Sequence, residues 1–478
     1  MTIRVFWQSM LAAAVCFSWG SSHAIGLHDA VNSALQTHPD VRVQTTELLA
    51  REKEIDQAQA GYRPNVDVFG GYGWEWNDNS STASAGFDEG RDLMRKEVGV
   101  QMTQMLFDGY ATDSEVARQK ARYASTLHRI DGVGQGVALD AIDAYLNVLR
   151  QRELLALSEA NLRSHQRVYS QIDLRLQAGV GSRVDLEQVE GRRALANASR
   201  LSDVVNLKDV ETTYLDVVGQ LAPTELEAVD SVASVLPSSL QEAMQVAVAE
   251  HPTLKSAEAD IRAAQAQHEA ARQNDYPKFN LEVGGNWRDN QNGVEGEDSD
   301  VRAMIMMRYN LYSGGRDSSR KEQTAYLLSE SKEVRNQTFR QVVESLRLSW
   351  AAYHATRSQL GSLQDYVRAT TETRKAYGKQ FRIGKRTLVD LLNVEAELFE
   401  AKRSLVEANY DNLFAQYRIL SGMGRLFEQL KMTAPRGEGR GDKELETYGQ
   451  LAAEDLKVKA FEPAFPPKNG SSTEPKGR

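Results

Sequence analysis

The chain has 478 residues, 41% of them hydrophobic and 26% charged, so it has the apolar content to fold, yet it holds no run of about 18 apolar residues that would make a transmembrane helix. A formal charge of −9 and the lack of a long Lys/Arg cluster exclude a general nucleic-acid binder, which needs a basic surface to reach phosphates.

In chain order, residues 1–24 read as a signal peptide: Arg4, an apolar run from Val5 to Phe17, and Ser22-His23-Ala24 as the cleavage site. The single cysteine, Cys16, lies inside it, so the mature chain carries none and suits an oxidising compartment. The remainder is a duplication. His38-Pro39 returns as His251-Pro252, Leu106-Phe107-Asp108-Gly109 as Leu311-Tyr312-Ser313-Gly314, Gly179 as Gly384, and Asp185-Leu186 as Asp390-Leu391. The repeats span 25–222 and 251–434, joined by a linker and helix start at 223–250. Residues 435–478, with five of the eleven prolines, read as a disordered tail. A histidine before proline is expected only to start a helix.

Prolines break helix interiors and paired strands, and none lies between Pro64 and Pro223 or between Pro277 and Pro435. Each interval opens with period-two alternation, predicting strands at about 64–77 and 95–107, then at about 278–288 and 301–312. Tyr72, Trp74, Trp76, Trp287 and Tyr309 are candidate interfacial aromatics, and 289–300 reads as a solvated acidic loop. Helices are expected over 111–177 and 183–220, and over 316–382 and 387–430. Ala141, Val148, Leu155, Leu162, Tyr169 and Leu176 recur every seven residues, and Val394, Ala401, Ala408 and Ala415 do the same in the last helix. Heptads predict coiled-coil packing.

The reversals between the long helices carry the most specific local signal. Gly179, Val180, Gly181 and Ser182 lead to Asp185 in one, and Gly384, Lys385, Arg386 and Thr387 lead to Asp390 in the other. Glycine ends one helix, Ser or Thr caps the next, and the aspartates suit a helix N-terminus, which is a complete structural reason for them. Four strands cannot close a membrane barrel, because the smallest have about eight, so a dimer or a trimer is required.

The signal peptide, the duplicated hairpin-plus-coiled-coil unit and the segments from Gly179 to Arg192 and from Ile383 to Asp411 together resemble the TolC family of outer-membrane factors, most closely its type I secretion branch that exports large adhesins. The resemblance implies a mainly α homotrimer with a 12-stranded barrel in outer-membrane lipid and an α-helical tunnel in the periplasm. It implies a passive channel with no catalytic residues, metal or cofactor, served by a periplasmic adaptor (membrane fusion protein) and an inner-membrane ABC transporter. The alternative is the outer-membrane component of a multidrug efflux pump, with an RND-type transporter. It further implies that Asp390 rings the narrow end of the tunnel and Arg386 links the tip closed, while Asn393 replaces a second aspartate and Phe381 a tyrosine. The tip turns, Gly179–Ser182 with Asp185 and Gly384, Lys385 and Thr387, are expected to meet the adaptor.

Overall fold

The computed structural model describes residues 26–87 and 89–436; the signal segment, its cleavage site and Cys16, and the tail beyond residue 436, lie outside the described residues. The first repeat runs α1 (Leu27–Thr37), α2 (Pro39–Gln59), β1 (Asn65–Asn77), α3 (Ser80–Ser84), β2 (Arg91–Phe107), α4 (Ala111–Gln177) and α5 (Arg183–Val218). The second runs α6 (Leu240–Glu250), α7 (Pro252–Ala270), β3 (Lys278–Asp289), β4 (Glu297–Arg308), α8 (Arg316–Arg382), α9 (Leu388–Gly422) and α10 (Leu426–Leu430).

Three elements depart from the sequence reading by more than two residues at an end. Strand β2 starts four residues before the expected 95. Strand β4 occupies 297–308 rather than 301–312, so Glu297, Asp298 and Asp300 stand in a strand, not a solvated loop, and Tyr309 lies just past its end. The physical reason is cross-strand pairing: Arg288 of β3 forms an ion pair with Asp300 and sits 3.9 Å from Asp298, which offsets the charge that made the segment look like loop. Helix α9 stops at Gly422 instead of running to 430. Gly424 takes φ +80° and the Arg425 N–H reaches back to the Leu420 carbonyl at 2.9 Å, a Schellman turn that ends the helix before α10.

The strands form one antiparallel sheet in the order β1-β2-β3-β4, which leaves the outer edges of β1 and β4 open within one chain. Its register sorts the side chains by face. Val66, Val68, Tyr72 and Trp74 of β1 stand beside Met102, Val100, Lys96 and Met94 of β2, and Val98 and Met102 stand beside Trp287 and Val283 of β3. The sequence Gly71, Glu97, Arg288, Asp298 runs straight across the other face through all four strands. Arg95 on that face lies 3.4 Å from Glu75 and 2.5 Å from Glu97. A largely apolar face, carrying the Lys96–Asp289 ion pair, backed by a charged one suits a barrel wall between lipid and water.

Each sheet-to-helix junction uses left-handed backbone, with Gly109 and Tyr110 at φ +74° and +66° and Gly314 and Gly315 at +65° and +86°. In the first, the Asp108 carboxylate accepts the Ala111 and Thr112 N–H groups at 3.0 and 2.8 Å and caps α4. Helices α4 and α8 each hold 67 residues, roughly 100 Å at 1.5 Å per residue. Helix α4 pairs with α5, and also packs against α2, α7 and α9. Ser33 and Thr37 of α1 donate to the Val218 carbonyl at 3.0 and 3.3 Å, so the first repeat's short helices take over where α5 ends.

The main core fills this junction with Ala30, Val31, Leu35, Ile142, Tyr145, Tyr214, Leu346 and Ile419, all buried. His38 and His251 serve as helix starts, their Nδ1 atoms accepting the Asp40 and Thr253 N–H groups at 3.2 and 3.3 Å. Burial of His251 lowers its pKa to about 4, so it stays neutral there. The predicted seam residues Val394, Ala401, Ala408 and Ala415 are buried, and so are Ala141 and Val148, whereas Leu155, Leu162, Tyr169 and Leu176 are only half-buried.

Candidate gate and docking site at the hairpin tips

The long helices reverse twice, and a small second core joins the two reversals. Ile172 of α4, Val189 of α5, and Leu388 and Leu392 of α9 are buried together, with Tyr169, Leu186 and Phe381 packed against them. The tips of the two coiled coils therefore lie side by side.

Both turns have the same backbone. Gly179 and Gly384 each take φ +76°, and the N–H groups of Val180 and Lys385 reach back to Arg175 and Gln380 at 3.0 and 2.9 Å. A Cβ at either glycine would meet nothing within 4 Å, so backbone conformation alone selects glycine there. Gly181 is different: a Cβ on it would come within 2.7 Å of the Leu176 nitrogen, so close approach selects it. Ser182 caps α5 by accepting the Val184 N–H at 3.2 Å, and Asp185 adds its charge in the first turn. Val180 is 78% exposed, and Lys385 is exposed as well.

In the second turn the cap is reciprocal. Thr387 Oγ1 accepts the Asp390 N–H at 3.2 Å, and Asp390 Oδ2 accepts the Thr387 N–H at 3.2 Å and its hydroxyl at 2.9 Å. The two hydrogen bonds from Thr387 and the charge of Arg386, whose Nη1 lies 3.8 Å away, hold the Asp390 carboxyl below the usual carboxylate range. Within one chain Asp390 is thus a half-exposed, ionised cap.

Arg386 also donates to Gln380 at 3.2 Å and lies over the Tyr377 ring at 4.4 Å. Phe381 does not join that group; it packs in the tip core with Arg175 of α4 at 4.9 Å from its ring. The tyrosine partner of Arg386 therefore stands one helical turn before the position compared in the sequence. Asn393 accepts a hydrogen bond from Arg192 of α5 at 3.2 Å, tying the first hairpin to the second. Asp390, Arg386 and Thr387 are brought together, while Asn393 and Phe381 serve the seam between hairpins. Sequence reasoning missed Arg192, Arg175 and Tyr377. Only Tyr377, four residues before Phe381 on the same helix face, left a readable signal.

Among the described residues no helix is long and apolar enough to cross a membrane, and no group of three or more His, Cys, Asp or Glu side chains is placed to hold a metal ion.

The model of the family described as outer membrane efflux protein matches residues 30–209 and 243–425, one block in each repeat. The chain is 28% identical to the outer membrane efflux protein BepC of Brucella suis over 381 residues, covering 79% of this chain and 80% of BepC. It is 23% identical to the alkaline protease secretion protein AprF of Pseudomonas aeruginosa over 439 residues, 90% of each chain. The fold matches that of the outer membrane protein VceC of Vibrio cholerae with a TM-score of 0.71 at 14% identity, covering 83% of this chain and 96% of that one.

Proposed function

This chain belongs to the outer membrane efflux protein family, and we propose that within it the chain is the channel-tunnel of a tripartite type I secretion system, conducting a large secreted protein such as an adhesin. It is an outer-membrane channel whose helical tunnel stands in the periplasm, and it is not an enzyme. The observation that carries the secretion role is the likeness to AprF, named for protease secretion, along 90% of both chains. Three chains would close twelve strands into a barrel; an adaptor would meet the turns around Gly179 and Gly384, and an ABC transporter would supply the energy. A drug-efflux role with an RND-type transporter is the second reading, favoured by the higher identity to BepC. Deleting the gene tests both. Loss of one large protein from the cell surface or medium with unchanged drug susceptibility supports secretion, and the reverse result supports efflux.

For the gate, we infer that three copies of Asp390 ring the narrow end and that Arg386, over Tyr377, holds each tip inward. Grouped carboxylates attract cations and push one another's pKa up, against the lowering seen within one chain. In planar-bilayer recordings Asp390→Ala is expected to weaken cation selectivity, and Arg386→Ser to raise single-channel conductance. Wild-type behaviour in both variants would leave Asp390 as a helix cap only.

A further inference from the structure

The seam of α4 that faces the other helices is buried throughout, but its chemistry changes along its length. Ala144, Gln151, Ser158, His165 and Ile172 are spaced by seven and all are buried. On α5, Val189, Ala196 and Asp203 follow the same spacing and are buried too; on α9, Leu388 and Glu395 do the same. At the tip these positions are apolar and form the small second core, and nearer the barrel the main core takes over. Between the two cores several buried positions are polar: Gln151, Ser158 and His165 of α4, Asp203 of α5 and Glu395 of α9. Asp203 is satisfied by Gln151 at 3.4 Å and Arg403 at 2.8 Å. Glu395 is taken by Arg374 of α8 at 2.5 Å.

Asp203 and Glu395 are ion-paired, which leaves His165 as the buried titratable group of this interval outside any ion pair among the described residues. It is 4% exposed and sits one heptad above Ile172, the residue that packs with both α5 and α9. The charges that face it are Arg192 from α5 and Glu395 from α9, the latter already ion-paired to Arg374 of α8. Arg192 is also the residue that donates to Asn393 and ties the hairpins together.

We propose that His165 is a proton-operated release in the seam between the two hairpins: neutral, it lets the tips stay packed, and protonated, it places a cation in a buried layer whose one carboxylate is already held by Arg374, so the hairpins part and the tunnel end opens. The proposal rests on the reading of the chain as a periplasmic tunnel. Desolvation lowers the imidazole pKa from its ordinary 6.5; Glu395 partly offsets this, and Arg192 adds a smaller lowering. The sign follows from that direction. A histidine with a depressed folded pKa costs nothing while neutral above about 6.5, and its protonation weakens the folded seam as pH falls below that value.

The test is single-channel recording of the full-length protein in planar bilayers at about pH 7.5 and about pH 5.5, on either side of the ordinary imidazole value. Native channels are expected to gain about twofold or more in conductance at the lower pH, and His165→Leu and His165→Gln channels to show no such gain. The Gln variant keeps a polar side chain in case Leu prevents assembly. An equal acid response in native and variant channels, or no response in native channels, overturns the proposal. Absence of any native channel at either pH overturns the tunnel reading itself, and the proposal with it.

Discussion

Gly109→Val is expected to prevent assembly of the protein in the outer membrane. Gly109 sits where β2 hands over to α4, at φ +74°, a conformation that a β-branched side chain resists. A Cβ there would lie 2.3 Å from the Gln273 carbonyl oxygen and 3.1 Å from its carbon, backbone atoms that cannot turn aside. The left-handed backbone costs roughly 1–2 kcal/mol and overpacking about 1–3 more. Because this junction sets the sheet against the long helix, the loss should appear as a missing folded species in the outer-membrane fraction. The equivalent glycine of the second repeat supplies the control. Gly314 has φ +65°, but a Cβ there meets nothing within 4 Å, so Gly314→Ala should pay only the backbone term and still assemble. Equal behaviour of the two variants would mean that the contact with Gln273 does not matter.

Arg403→Ala is expected to destabilise the coiled coils by about 3 kcal/mol, the low end for stranding a buried charge, since the Arg403 side chain is itself partly solvated. Asp203 is 2% exposed, and Arg403 at 2.8 Å supplies its only ion pair among the described residues, with Gln151 as the weaker second donor. Replacing both partners at once, Asp203→Leu with Arg403→Met, removes the charge instead of stranding it and should be close to neutral. The midpoint of urea unfolding, followed by helical circular dichroism, reads both. A double variant as unstable as Arg403→Ala would show that the pair stabilises the seam in its own right.

Much of this fold is legible in the sequence because it depends on local rules. Proline placement bounds the long helices, period-two alternation marks the strands, and Gly384 with Thr387 marks a helix stop and a cap. What was not legible depends on partners distant in the chain. The acidic start of β4 read as loop because Arg288, which offsets it, belongs to another strand. The heptad read from apolar residues, Leu155 and Leu162 among them, is half of the seam. The other half lies three residues further on, at Ser158 and His165, and is hidden because buried polar residues do not look buried. Asn412 and Gln416 are invisible for the same reason: Asn412 donates to Thr356 at 2.9 Å and Gln416 to Asn412 at 2.9 Å, which lets both lie in the packed region. At the tip, the Asp390 cap is a local motif and was readable, whereas the Arg192–Asn393 link joins residues 201 positions apart and left no sequence signal.

Three chains are expected to complete one barrel, since one chain presents four strands with two open edges and an open edge in lipid costs several kcal/mol per unpaired group. The most direct measurement is the protein mass of the mature, detergent-solubilised particle, by light scattering with the detergent contribution subtracted. A particle of three times the mass of one mature chain is expected. A particle of one or two chains that still conducts ions would contradict it.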